Sequence, residues 1–123
     1  MNQKQYERAL EAVRNDCEGV QQLIDYHDRT CALGAMALAA GYDKITLRRI
    51  DAGRRDVNIN GPYGGIAARY GLTRSQINSI YRANDAYYIQ DERRVAVANV
   101  LHMIAASYNL ELKPEGEESA DNN

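Results

Sequence analysis

The segment from Cys31 to Ala40 constrains the fold more than any other part of the sequence, because none of its residues is charged. A helix without a polar face has to be buried on all sides. The small side chains of this segment also allow neighbouring helices to approach closely. We therefore expect the central helix of a helical domain here, with Thr30 as its N-cap and Gly41 at its end.

Two further helices are predicted before this segment. Residues 2–14 carry apolar side chains at helical spacing and are expected to form the first helix. Asp16 is then a suitable N-cap for a second helix, which would bury Val20, Leu23 and Ile24 on one side. Two amphipathic helices would thus precede the central helix in the sequence.

The end of the chain indicates where the domain stops. A strongly periodic helix is predicted over about 88–108, and the charged stretch 91–94 near its start is interpreted as a solvated turn. From residue 113 the sequence is polar and acidic, which is typical of a disordered tail. The 123 residues therefore predict one helical domain over 1–112 and a disordered acidic tail over 113–123.

The stretch between residues 42 and 61 allows more than one structure. Its apolar residues alternate with polar ones around an Asp-Ala-Gly turn, which favours a short β-hairpin at 44–60. The alternating residues are Ile45, Leu47, Val57 and Ile59. A short helix from Asp43 to Ile50 and an irregular loop are the alternatives. Apart from this stretch, the fold class is mainly α, a compact bundle of about five or six helices.

Two short helices joined by a tight turn are predicted between Gly64 and Asp85. The small Ala67 fits where two helices cross, Gly71 supplies a left-handed turn residue, and Thr73 caps the second helix. This pattern resembles the helix-turn-helix of bacterial and phage repressors, whose second helix reads base edges in the major groove. An ordinary helical corner has the same features, so both interpretations stay open. The predicted outward-facing residues are Arg74, Ser75, Gln76, Asn78, Ser79 and Arg82.

Positive charge is concentrated in the same half of the chain. Between residues 44 and 82 there are eight basic and two acidic residues, a local balance of +6, whereas residues 1–43 have a balance of −3. Phosphate binding requires a local positive face, so the net charge of −2 does not exclude it. The candidate partner- or DNA-binding residues are Arg48, Arg49, Arg54, Arg55, Arg69, Arg74, Gln76, Asn78 and Arg82.

A second resemblance covers about residues 30–105. The blocks are Cys31-Ala32-Leu33-Gly34, then Gly71-Leu72-Thr73, then Asn84-Asp85, then an amphipathic helix from Val95 to Ile104. In order and spacing they resemble a group of small phage and prophage proteins. This resemblance implies an all-helical fold and a phage setting, and it gives the glycine corner and the Asn-Asp pair structural roles.

Residues for catalysis or metal binding are sparse. His27 and Cys31 would share a helical face, but a zinc site needs about three or four ligands and no CxxC or HxxxH pair is present. His102 is expected to pack in the last helix. The glycines near residue 61 lack the Lys-Ser/Thr pair of a phosphate loop. We therefore predict no enzyme, no catalytic residue, no metal and no cofactor.

Three functional hypotheses fit these features. The first is a phage-type accessory protein that binds a host protein or defence complex stoichiometrically through an Arg-rich face and inhibits it. The second is a helix-turn-helix DNA-binding regulator, and the third is a sponge for a small anionic nucleotide signal. With no apolar run near the ~20 residues of a membrane span, we expect no membrane association. Cys17 and Cys31 do not make a disulfide framework and are expected to be reduced, which indicates the cytoplasm, that of the host cell for a phage protein. The oligomeric state stays open, a dimer included.

Overall fold

The computed structural model describes residues 1–53 and 63–114, and these form six α-helices. The helices are α1 (Gln3–Asp16), α2 (Ala32–Ala39), α3 (Lys44–Gly53), α4 (Gly64–Tyr70), α5 (Arg74–Asp85) and α6 (Gln90–Ser107). The predicted mainly α bundle of five or six helices is therefore confirmed. None of the helices in these two ranges has the length and apolar character needed to cross a membrane.

Helix α2 lies at the centre of the bundle, as its sequence predicts. It packs against α1, α3, α4 and α5, and its residues 32–37 are all buried. Its N-cap is Cys31 and not Thr30, because the Cys31 Sγ accepts a hydrogen bond from the Gly34 N–H at 3.5 Å. The Thr30 hydroxyl instead donates to the Asp16 carbonyl at 3.1 Å. Gly41 follows the helix with a φ of 101°.

Residues 17–30 form no helix, so the second helix predicted at Asp16 is wrong. This loop, called the α1–α2 loop below, lies directly on α2: a Cβ added at Gly34 would be 1.9 Å from the Leu23 carbonyl oxygen. Leu23 and Ile24 are buried, and their N–H groups donate to the Asp51 carboxylate at 2.9 and 3.0 Å. Tertiary contacts thus supply the burial and the hydrogen bonds that a helix would have supplied.

Helix α3 occupies residues 44–53, so the β-hairpin predicted at 44–60 is wrong over this range. The alternative helix starting at Asp43 is the correct one, because the Asp43 carboxylate accepts from the Thr46 N–H at 2.7 Å. That hydrogen bond holds the pKa of Asp43 below its usual value. The alternation of apolar and polar residues does not indicate a strand here, because only Leu47 of its two apolar residues is buried, while Ile45 faces solvent. The second predicted strand, with Val57 and Ile59, lies outside the described residues.

Helix α6 agrees with the predicted last helix to within two residues. After it the chain turns back along α1, where the Gln3 side-chain amide exchanges two hydrogen bonds of 2.9 Å with the Glu111 backbone. The Tyr6 hydroxyl accepts from the Lys113 N–H at 2.9 Å and bonds to His102 Nδ1 at 2.7 Å. His102 is therefore half-buried and packed, as expected. Of the predicted tail, residues 115–123 lie outside the described residues.

Candidate functional site

The predicted helix–turn–helix is present between α4 and α5. Gly71 ends α4 in the left-handed conformation with a φ of 61°, and a Cβ there would meet the Met1 nitrogen at 2.9 Å. Glycine is thus required both by the backbone conformation and by the close approach of the N-terminus. Leu72 is buried under the turn, and its N–H donates to the Ala67 carbonyl at 2.9 Å.

A capping box starts α5 and uses one of the predicted site residues. The Thr73 hydroxyl accepts from the Gln76 N–H at 3.2 Å, and the Gln76 side chain accepts from the Thr73 N–H at 2.9 Å. The same side-chain amide is 3.5 Å from the Tyr108 hydroxyl. The Gln76 side chain is therefore held at the helix start, and it is less available to a partner than its sequence position indicates.

The inner face of α5 fixes the helix in the core. Ile77 and Ile80 are completely covered, and α5 packs mainly on α6. One turn later Asn84, only 4% exposed, accepts from Cys17 Sγ at 3.3 Å and from the Ala32 N–H at 3.0 Å. Its Nδ2 donates to the Val20 carbonyl at 3.3 Å. A single amide side chain thus joins α5 to the α1–α2 loop and to the start of α2.

The outer face of α5 carries the polar residues that the sequence places there. A shallow depression on this face is lined by Arg74, Ser75, Asn78, Ser79 and Arg82. The Ser79 hydroxyl donates back to the Ser75 carbonyl at 3.1 Å, so this hydroxyl is occupied within the helix. Neither arginine forms an ion pair with a carboxylate among residues 1–53 and 63–114. Five side chains, two of them cationic, therefore share one exposed face.

The arginines predicted on α3 lie in a different setting. The Arg48 guanidinium pairs with the Asp28 carboxylate, which also accepts from Lys44 Nζ at 3.1 Å. Hydrogen bonds from Lys44 and from Arg48 hold the pKa of Asp28 below its usual value. Arg49 is exposed on the same helix. One carboxylate of the α1–α2 loop thus pairs with two of the three basic side chains of α3.

Arg69 on α4 also has partners within the protein. Its Nη1 donates to the Ala40 carbonyl at 2.7 Å, and its guanidinium carbon lies 4.9 Å from the centre of the Tyr42 ring. Arg69 therefore holds the end of α2 against α4. The remaining predicted residues, Arg54 and Arg55, lie outside the described residues.

The α5–α6 corner contains a buried arginine that the sequence does not reveal. Arg93 was expected in a solvated turn, but it is only 6% exposed. It donates to the Asn84 carbonyl at 2.8 Å, to the Gln90 side chain at 3.1 Å and to the Tyr87 carbonyl. Through these hydrogen bonds one guanidinium joins the end of α5, the turn after it and the start of α6, and so forms a closed corner between the two helices. No sequence signal distinguishes Arg93 from the charged residues beside it.

Outside this closed corner, large apolar side chains face solvent. Tyr88 is 100% exposed, and Tyr87, Ile89 and Val95 are exposed as well. Tyr87 and Val95 line a shallow groove along the first turns of α6, together with acidic and small residues. Exposed apolar side chains grouped in this way are typical of protein-interaction surfaces. We call Tyr87, Tyr88, Ile89 and Val95 the aromatic corner.

The two thiols are structural. Cys17 and Cys31 are buried and are not joined in a disulfide, and burial raises the pKa of the Cys17 thiol to about 12, with a smaller contribution from Cys31. A thiol in this state is a poor nucleophile and a poor metal ligand. Residues 1–53 and 63–114 contain no group of three or more His, Cys, Asp or Glu side chains that could hold a metal ion.

Known proteins add nothing to these observations. No family model matches the chain, no curated protein matches it in sequence, and no solved structure matches it. The geometry of the described residues therefore has to carry any functional proposal.

Proposed function

We propose that this protein binds duplex DNA through the outer face of α5, in the manner of a helix-turn-helix regulator. One observation carries the proposal: Arg74, Asn78 and Arg82 share an exposed face, and both arginines lack a carboxylate partner among the described residues. Guanidinium groups bind phosphates, and asparagine hydrogen-bonds to base edges. The turn at Gly71 and the buried inner face hold α5 firmly enough to present these side chains to a groove.

The partners of Arg48 and Arg69 within the protein favour the arginines of α5 over these two residues. Arg48 is paired with Asp28, and Arg69 is bound to a carbonyl and a tyrosine ring. A guanidinium that already has partners gains less from a phosphate, because it has to give up existing contacts. Two phosphate contacts, from Arg74 and Arg82, would give a slope of log K against log[salt] of about −1.8.

The test measures binding of a fluorescent duplex of random sequence by anisotropy, at several salt concentrations. We expect binding at low salt that weakens as salt rises. Arg74→Ala and Arg82→Ala should each make the slope less steep by about 0.9. Arg8→Ala, which removes an exposed arginine from α1, is the matched control and should leave the slope unchanged. Absence of any binding at low salt, or an equal effect of Arg8→Ala, would refute the proposal.

A second function is favoured by the aromatic corner. Stoichiometric binding and inhibition of a host protein or defence complex, as expected of a phage or prophage accessory protein, would use exposed aromatic anchors. Tyr88 is completely exposed and its neighbour Ile89 is largely exposed. Both functions would be carried out in the cytoplasm, that of the host cell if the protein is phage-encoded.

Pull-down from nuclease-treated host lysate tests this second function. A near-stoichiometric protein band should be retained by Arg74→Ala and lost with Tyr88→Ser. Tyr26→Ser is the matched control, because Tyr26 is 96% exposed but lies in the α1–α2 loop. A band that is absent, or that is lost equally with Tyr26→Ser, would contradict binding through the aromatic corner. The nucleotide-sponge hypothesis stays a prediction, for which thermal melting with cyclic nucleotides is the direct assay.

A further inference from the structure

We infer that the outer face of α5 divides DNA recognition between its residues: Asn78 reads an adenine, and Arg74 and Arg82 hold phosphates on the two sides of the major groove. This inference rests on the proposed function and specifies which side chain supplies the sequence preference. It makes Asn78 the specificity-determining residue and the two arginines the positioning residues.

The spacing along α5 is the first argument. An α-helix rises about 1.5 Å per residue, so Arg74 and Arg82 are about 12 Å apart along the axis, with Asn78 midway. Each step of four residues also rotates by about 40°, so Asn78 is central around the axis as well. The major groove is about 12 Å wide. A helix that lies along this groove with Asn78 towards the bases therefore turns Arg74 by about 40° towards one wall and Arg82 by about 40° towards the other.

The hydrogen-bonding state of the neighbouring side chains is the second argument. Gln76 is held in the capping box with Thr73, and the Ser79 hydroxyl is bound to the Ser75 carbonyl. Within the described residues Asn78 has no hydrogen-bond partner for its side chain, which is half-exposed in the depression. Its amide therefore keeps one donor and one acceptor for a base edge.

The chemistry of the amide selects the base. An asparagine side chain can donate to adenine N7 and accept from adenine N6 at the same time, and no other base offers this pair in the major groove. An arginine at the same place would prefer guanine, but both arginines of this face lie at its ends. Two paired hydrogen bonds correspond to about ten- to a hundredfold discrimination between adenine and the other bases.

The experiment selects duplexes from a randomised pool with the wild-type protein and then measures the affinities of single-base variants. We expect one position at which adenine is preferred about tenfold or more. Asn78→Ala should reduce this preference to about twofold or less while the salt slope stays unchanged. Asn78→Gln should retain part of the preference, since glutamine forms the same pair of hydrogen bonds. Arg8→Ala, on α1 and away from this face, is the control and should keep the full preference.

The arginine variants complete the test. Arg74→Ala and Arg82→Ala should weaken binding to all duplexes by similar factors and leave the adenine preference in place. If Asn78→Ala retains that preference, or if an arginine variant removes it, the division of roles is wrong even though DNA is bound. If the wild-type protein binds no duplex at low salt, the proposed function fails first. Circular dichroism of each variant shows whether the helices are intact.

Discussion

Two asparagines on α5, six residues apart, have opposite surroundings. Asn84 is buried, and both polar atoms of its side chain are bound, to the Cys17 thiol, the Ala32 N–H and the Val20 carbonyl. Asn78 is half-exposed in the depression of the outer face, and its side chain is bound to none of the described residues. The residue type is the same, yet one side chain builds the fold and the other is available to a partner.

The arginines of this region show the same contrast. Arg93 is buried and donates to carbonyl and amide oxygens around the α5–α6 corner, whereas Arg82 is exposed on the depression. A buried guanidinium has to be satisfied by internal acceptors, because its desolvation is otherwise too costly. The side chains available to bind a partner are therefore those, such as Arg82 and Asn78, whose donors and acceptors are not used within the described part of the fold.

The largest effect should come from replacing the buried asparagine. Asn84→Leu would leave the Ala32 N–H and the Val20 carbonyl without the partner they have now. Because each buried group left unsatisfied costs about 1–3 kcal/mol, we expect a loss of roughly 3 kcal/mol in the free energy of unfolding. Urea denaturation measures this loss. Asn78→Leu is the matched control and should change the stability by less than about 0.5 kcal/mol.

Equal effects of the two leucine variants would show that the inner and outer faces of α5 do not differ as described.

A smaller effect is expected at the turn that sets where α5 begins. Gly71→Ala would place a side chain in the left-handed region and against the Met1 nitrogen, so the free energy of unfolding should fall by about 1–2 kcal/mol. Gly53→Ala is the control, because no atom lies within 4 Å of a Cβ at Gly53. Alanine there should be neutral or slightly stabilising. A neutral Gly71→Ala in the same urea assay would mean that the turn can adopt another conformation.

The smallest effect concerns the thiol that contacts Asn84. The pKa of Cys17 is raised to about 12 in the folded protein, from 9.0. Between these two pH values the Cys17 thiol keeps its proton in the folded state and loses it in the unfolded state. The stability that is complete below pH 9 should therefore decrease as pH rises towards 12. Between pH 9 and 10 the decrease should not exceed about 1.4 kcal/mol. Cys17→Ala should show a shallower decrease in urea denaturation over this range, and an unchanged slope would contradict the burial of the thiol.

Local signals predicted most helices and the outer face of α5. Capping residues and apolar spacing are contained in short stretches of sequence, so α1, α2, α4, α5 and α6 could be predicted from them. Arg74, Asn78 and Arg82 were expected to face outward because they alternate with the buried Ile77 and Ile80 at helical spacing.

The helix predicted after Asp16 failed because of residues distant in sequence. The α1–α2 loop is extended because Gly34 lets its backbone approach α2 and because Asp51 accepts its N–H groups. Arg93 is buried against carbonyl groups only nine and six residues before it, at the end of α5 and in the turn that follows. Such contacts form only when the helices have packed.

The sequence by itself determined most of the segments that form helices and the residues that can face outward on α5. Only the tertiary structure decided which polar side chains the fold uses through distant contacts, such as Arg48, Arg69 and Asn84, and which it leaves available, such as Asn78. The physical reason is that helix formation follows from neighbours within a few residues, whereas each buried donor or acceptor has to find its partner in space.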